Sequence, residues 1–205
     1  NSGQPGRASG QQTHESNAVS QEDLFLRLEV NRRSLYLGEA VVATLKVYSR
    51  DGNLSGTGRS KFPSFDGFIT EEIPVQGELR RTEYNGKIYY AAVIHQRILF
   101  PQYAGELTIE PFEVECMVRQ RVRGGRNSIL DDFFENVRNV PMLRRTQPVK
   151  IQVKNLPAEG KPARFSGFVG KATMKTSVST DTLRANDALT YRIIFQGTGN
   201  MKVME

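Results

Sequence analysis

The sequence predicts an all-β protein: an immunoglobulin-like β-sandwich with a short inserted helix, followed by the truncated start of a second β-sandwich. Three observations lead there. Apolar residues alternate in short runs bounded by Gly, Pro, Asn and Asp, as in half-buried strands. One such phrase returns: LYLGEAVVATLKV at 35–47 is matched by LRANDALTYRIIF at 183–195, an offset of 183 − 35 = 148. A period that long suits tandem domains rather than solenoid units. Finally, 38% apolar and 24% charged residues over 205 positions are ordinary for a chain that buries a core.

Residues 1–21 are rich in Ser, Gly, Gln and Asn, so they read as a flexible linker or tail. The sandwich is expected over 22–156, with about seven strands, the count of an immunoglobulin-like domain. Leu24, Leu26, Leu28 and Val30 alternate in the first strand, and Val41, Ala43, Leu45 and Val47 in the second. SRDGNLSGTGRSK then reads as a mobile loop; its GTGRSK lacks the glycine spacing and following helix of a phosphate-binding loop. Strand-like runs follow in FDGFITEEI and VQGELRRTEY, and Asn85-Gly86 is a strong hairpin signal. Beyond it Ile88, Tyr90, Ala92 and Ile94 alternate, then ELTIEPFEVECMV and PVKIQVKNL complete the unit. Within NSILDDFFENVRNV, Leu130, Phe133, Phe134 and Val137 stand at i, i+3, i+4, i+7, one face of a short helix with Ser128 as N-cap. Residues 157–164 form a Pro/Gly linker, and 165–205 hold the N-terminal part of the second, truncated sandwich.

The repeat extends to its turn chemistry. Gly38-Glu39 and Asn186-Asp187 occupy equivalent places; Gly38 and Asn186 tolerate positive φ, and Glu39 and Asp187 are placed to accept a nearby backbone N–H.

Few residues suit catalysis. The single cysteine, Cys116, alternates with Phe112, Val114 and Val118, which makes it a buried hydrophobe. His14 lies in the tail, and His95 shares its strand face with Lys87 and Arg97, the solvent side. Glu71-Glu72 and Asp131-Asp132 make no acid/base pair by themselves. No catalytic, metal-binding or cofactor-binding residue is assigned, and no cofactor is expected. No apolar run is long enough for a membrane helix, and no signal peptide is visible.

Net charge is +6, and seven arginines against three acids lie within 119–145. Arg119, Arg121 and Arg123 form a stripe suited to an acidic protein partner, or to protecting an edge strand. Nucleic acid is the weaker reading, because no aromatic platform is interleaved with the stripe. The helix face of Leu130, Phe133, Phe134 and Val137 either packs on the sandwich or serves as a docking knob.

The ordered phrases DLFLRLEVNRRSLYLGEAV, FPSFDGF, YNGKIYYAAVIHQRILFPQYAGELTIEPFEVE, LPAEGKPARFSGFVG and GTGN resemble the oxygen-tolerance (BatD) family from Asp23 to Glu205. The resemblance implies a non-enzymatic envelope protein of bacteria, with tandem sandwiches on the periplasmic side of the cytoplasmic membrane and an anchor outside this fragment. It implies von Willebrand A domain and TPR proteins as partners, beside a MoxR-type ATPase, in aerotolerance and envelope stress. The residues alone leave an alternative, a glycan- or polyanion-binding module that uses the arginine stripe. Exposed strand edges of the second unit are expected to pair with another copy in a crystal or to be poorly ordered.

Overall fold

The computed structural model describes residues 19–121 and 137–204, and among them the protein is all-β. Eleven strands precede residue 155: β1 (Leu24–Val30), β2 (Ser34–Tyr36), β3 (Val41–Ser49), β4 (Leu54–Lys61), β5 (Phe68–Glu72), β6 (Arg80–Tyr84), β7 (Lys87–Pro101), β8 (Gly105–Ile109), β9 (Glu113–Arg121), β10 (Val137–Arg145) and β11 (Val149–Lys154). They form three sheets, ordered β1-β3-β7-β5 with β6 also on β7, β10-β9-β4, and β2-β11-β8. The inner faces of all three contribute to one buried cluster, the layered arrangement of a β-sandwich.

The strong alternations hold. Leu24, Leu26 and Leu28 of β1, Val41, Ala43, Leu45 and Val47 of β3, and Val149, Ile151 and Val153 of β11 are all buried. Val114, Cys116 and Val118 fill the same core from β9. Burial pushes the Cys116 thiol up to about 11, against a smaller downward pull from Arg144. That thiol is unreactive packing, as its place in the alternation predicts. Asn85 and Gly86 take φ of 50° and 73° and close the two-residue hairpin at the Tyr84–Lys87 pair.

Four expectations need correction. SRDGNLSGTGRSK is not wholly loop, because Leu54–Lys61 is strand β4, paired irregularly to β9. Its side chains are almost all exposed, so no alternation betrayed it; β9 supplies the backbone partners. The expected strand count of about seven becomes eleven, since the run ELTIEPFEVECMV divides into β8 and β9, and the short β2, the glycine-bearing β4 and the proline-containing β10 lack a clear period-2 signal. In β7, Ala92 is buried, but Ile88 and Tyr90 are exposed, because this 15-residue strand overruns the core. Tyr89 is buried instead, on the opposite face, where Phe25, Tyr48, Tyr84 and Tyr89 pack ring against ring. Lastly, order begins before residue 22. Val19 packs on the core, and Ser20 Oγ and Asp23 Oδ2 stand 2.6 Å apart.

The second unit is a single hairpin, β12 (Lys171–Val178) with β13 (Tyr191–Thr198), followed by a 3-10 turn at Met201–Met204. It copies β1 and β3 rung for rung. Leu24 faces Ser49, and Ala172 faces Gly197; Val30 faces Ala43, and Val178 faces Tyr191; each member is displaced by 148 (172 − 24, 197 − 49, 178 − 30, 191 − 43). Gly38 and Asn186 take φ of 82° and 74°. The Tyr36 N–H donates to Glu39 Oε2 at 2.7 Å, and the Arg184 N–H to Asp187 Oδ2 at 2.9 Å. Even the rung outside the strands is kept: the Val42 N–H donates to Asn31 Oδ1, and the Thr190 N–H to Ser179 Oγ. The sequence repeat is a structural repeat. The two units meet where a Cβ added at Gly38 would lie 3.2 Å from Val169 Cγ2.

Candidate interaction surface

β9 and β10 bring several of the sequence-predicted residues to one end of one sheet. Along β9 the odd positions Glu113, Glu115, Met117 and Arg119 face away from the core, so the row changes from acidic to basic toward Arg119. Arg119 is exposed and pairs with Asn139; Arg121 pairs with Val137. Beside them the Arg119 N–H donates to the Asn53 carbonyl at 2.8 Å, and Ser55 Oγ bonds the Met117 carbonyl at 3.0 Å. This end of the sheet is therefore braced by β4 and by the turn before it.

Val137 is not on a helix: it opens strand β10 and is 49% exposed. The helix expected over 127–140 therefore does not include Val137–Val140, which are strand. Pairing with β9 gives Val137–Val140 a full set of cross-strand partners, and Pro141 would break a helix continuing through them. Leu130, Phe133, Phe134 and Arg123, with the rest of that expected helix, lie outside the described residues. In sequence they lie between β9 and β10.

Two polar features were not legible in the sequence. The first is Arg144, on the inner row of β10, whose Nε donates to the Leu24 carbonyl at 2.8 Å and whose Nη2 donates to the Val19 carbonyl at 3.0 Å. It closes the seam between the edge strands β1 and β10. Sequence counted it only as part of a charge cluster.

The second is His95, expected on the solvent side and in fact 7% exposed. The β3–β7 register shifts between Leu45 and Lys46, so Leu45 faces His95 while Lys46 faces Val93. This β-bulge turns His95 and Arg97 toward the core side. The His95 ring stacks on Phe62 at 4.5 Å, and Arg97 Nε donates to His95 Nε2 at 2.9 Å. Arg97 also donates to Thr70 Oγ1 at 2.8 Å, and its guanidinium lies over the Phe65 ring. Because Nε2 accepts, the imidazole is neutral. Burial and the Arg97 charge hold its pKa below the ordinary histidine value of 6.5, with Glu72 pulling weakly the other way.

The sign of the pH effect follows. The unfolded chain takes up this proton first, so the His95 contribution is complete above about pH 6.5 and is lost as pH falls through the depressed folded value. Unfolding free energies from urea titrations between pH 7 and 5 should fall by at most about 1.4 kcal/mol per pH unit from this group. His95→Gln, whose side-chain oxygen can accept from Arg97, should flatten that window. An unchanged pH profile in the variant would show that His95 does not titrate with folding.

Among the described residues no cluster of three or more His, Cys, Asp and Glu side chains could hold a metal ion. No helix among them is long and apolar enough to cross a membrane. The class defined by fold and surface is a β-sandwich with a repeated opening hairpin and a basic end on β9, the central strand of its sheet and not an edge. No protein-family model, curated protein or solved structure matches the chain.

Proposed function

We propose that this chain is a non-enzymatic, extracytoplasmic protein-interaction scaffold of the bacterial envelope, of the oxygen-tolerance (BatD) kind and with immunoglobulin-like domains. The observation that carries this reading is the internal repeat: two units open with the same hairpin in the same register, as rigid modules placed in series do. The ordered phrases shared with that family add the location, on the periplasmic side of the cytoplasmic membrane, and the class of partner, von Willebrand A domain proteins. The contact proposed is the β9–β10 end, where Arg119 stands opposite Asn139 and Arg121 opposite Val137, together with Leu130, Phe133 and Phe134 of the intervening sequence.

The test is photocrosslinking in cells from a probe at position 134 of the full-length protein, followed by mass spectrometry. The scaffold reading expects capture of a von Willebrand A domain protein, and, with the probe moved to position 138, expects Phe133→Ser with Phe134→Ser to abolish it without unfolding the sandwich. Undiminished capture by that folded double variant would remove the connection from the interface. A second reading, polyanion binding, is favoured by the basic end of the β9 row. It expects salt-sensitive binding to an immobilised sulfated glycan that Arg121→Glu with Arg123→Glu eliminates.

A further inference from the structure

Residues 62–67 link β4 to β5 and carry the chain from one sheet to another. Both aromatic side chains of this link rest on His95 and Arg97. The Phe62 ring lies nearly parallel to the buried His95 imidazole, with 4.5 Å between ring centres and 17° between planes. The Phe65 ring is buried, with the Arg97 guanidinium 5.5 Å over it. The main chain here holds a conformation that its side chain disfavours. Phe65 takes φ of 57°, and the other two described non-glycine residues with positive φ are both asparagines. A bulky residue keeps such a conformation only where its surroundings enforce it, and such positions gather at switch segments. Two main-chain bonds report on the state of the link: the Phe68 N–H donates to the Phe65 carbonyl at 3.0 Å, and the Gln102 N–H to the Gly67 carbonyl at 2.8 Å.

The His95–Arg97 contact exists in one protonation state only. Arg97 Nε donates to His95 Nε2 at 2.9 Å, so that nitrogen must carry a lone pair. A proton there would set donor against donor and cation against cation, since a guanidinium keeps its charge. The charged groups facing His95 are Arg97 on its own strand and Glu72 on β5, whose Oε1 lies 4.0 Å from His95 Nδ1. Leu45 of β3, Phe62 of the link and Phe112 at the β8–β9 corner bring no charge to it. Lys61 stands opposite Glu113 of β9, and Asp66 is exposed. Glu72 is itself exposed and already shared with Arg97 Nη2 at 3.5 Å, so it compensates little of a second positive charge.

We propose that His95 and Arg97 form an acid-released latch on residues 62–67: a proton on His95 breaks its bond with Arg97, and the two rings of the link leave their seats while the sheets stay paired. One side chain of the pair must move, and each carries a ring of the link with it, Phe62 on His95 and Phe65 under Arg97. Once those contacts go, nothing about Phe65 itself favours its left-handed conformation, so release also relieves strain. The latch confines the acid sensitivity of the sandwich to one segment and displays Phe62 and Phe65 in acid alone. It rests on this cluster and needs neither the envelope location nor the β9–β10 contact.

The experiment uses the full chain. Amide protection, corrected for the intrinsic pH dependence of exchange, is read at Phe68 and Gln102, with Val47 in β3 and Ile151 in β11 as internal references. Between about pH 7 and about pH 4, protection at Phe68 and Gln102 is expected to fall at least about tenfold more than at the reference amides. His95→Gln offers Arg97 an acceptor that takes no proton in this range, and should keep that protection in acid. If the glutamine variant fails to fold, the wild-type protein still decides, because the NMR titration of the His95 ring and the loss of protection must share one midpoint. An equal fall at the reference amides overturns the proposal in favour of general acid unfolding. Protection that survives the protonation of His95, or that is lost as readily in the folded glutamine variant, overturns it too.

Discussion

Phe112→Ala should lower the unfolding free energy of the first sandwich by about 3–5 kcal/mol, enough to consume much of a typical domain's stability. Phe112 is 1% exposed at the corner between β8 and β9. Its ring meets Phe62 at 5.5 Å and Phe65 at 5.8 Å, both edge to face, and His95 at 6.0 Å. The backbone there is fixed too. The Phe112 N–H donates to Thr146 Oγ1, and the Thr146 N–H donates to the Phe112 carbonyl, both at 3.0 Å. A backbone so pinned on both sides cannot collapse into the space left by the ring, so the cavity term is added in full. Urea unfolding followed by tyrosine fluorescence and by circular dichroism measures the change. Phe112→Leu, which keeps most of the volume, should cost less than half as much. A loss below about 1 kcal/mol for the alanine variant would mean that the corner repacks and that Phe112 is not its anchor.

Arg144→Met carries the second largest effect, an expected loss of about 2–3 kcal/mol. The arginine donates to two main-chain carbonyls of another segment, those of Leu24 and Val19, and to its neighbour Leu143. Methionine keeps much of the stem's packing but no donor, so the Leu24 carbonyl, on a residue 1% exposed, loses its partner at the edge of β1. Hydrogen bonds to charged groups contribute more than neutral ones, and an acceptor left without a partner adds its desolvation cost. The damage should be local in character. Hydrogen exchange of residues 19–24 should quicken more than that of β3 or β11, because the clamp holds the leading edge of β1 and not the centre of the sheet. Equal acceleration throughout would instead mark Arg144 as part of the global core.

The same contrast separates what was legible in the chain from what was not. Leu24 to Val30 and Val41 to Val47 announced themselves, because a strand with one face in a core must alternate, and alternation is a local property of the sequence. Asn85-Gly86 was legible because the tight turn needs two residues that accept positive φ. Gly38-Glu39 and Asn186-Asp187 were legible for the same reason, strengthened by their repetition. β4 and β10 were not, since they draw their existence from pairing with β9, more than fifty residues after β4 in one case and across a long connection in the other. Cross-strand hydrogen bonds leave no periodic mark in β4, whose side chains are mostly small or polar, and β10 mixes Pro141 and arginines with Val137, Val140, Met142 and Leu143.

The interaction surface divides in the same way. Residue type alone singled out Arg119 and Arg121 as a basic row, and the alternation of β9 fixed that they share a face. Val137 was assigned to a helix because apolar spacing around it fits i, i+7, and only its pairing with Arg121 made it a strand residue beside that row. His95 went wrong for a sharper reason. A period-2 count from Lys87 is correct until the bulge at Leu45, and one extra residue there reverses every later side chain.

By itself, then, the sequence determined the all-β class, the members of the central core strands, the hairpin turn and the existence of a second unit built like the first. The tertiary structure decided which face His95 and Arg97 occupy, and that Arg144 closes the seam between β1 and β10. The physical reason is one of range. Side-chain periodicity and turn dihedrals are set by a few neighbouring residues, whereas bulges, edge pairing and the burial of a face depend on strands far away in the chain.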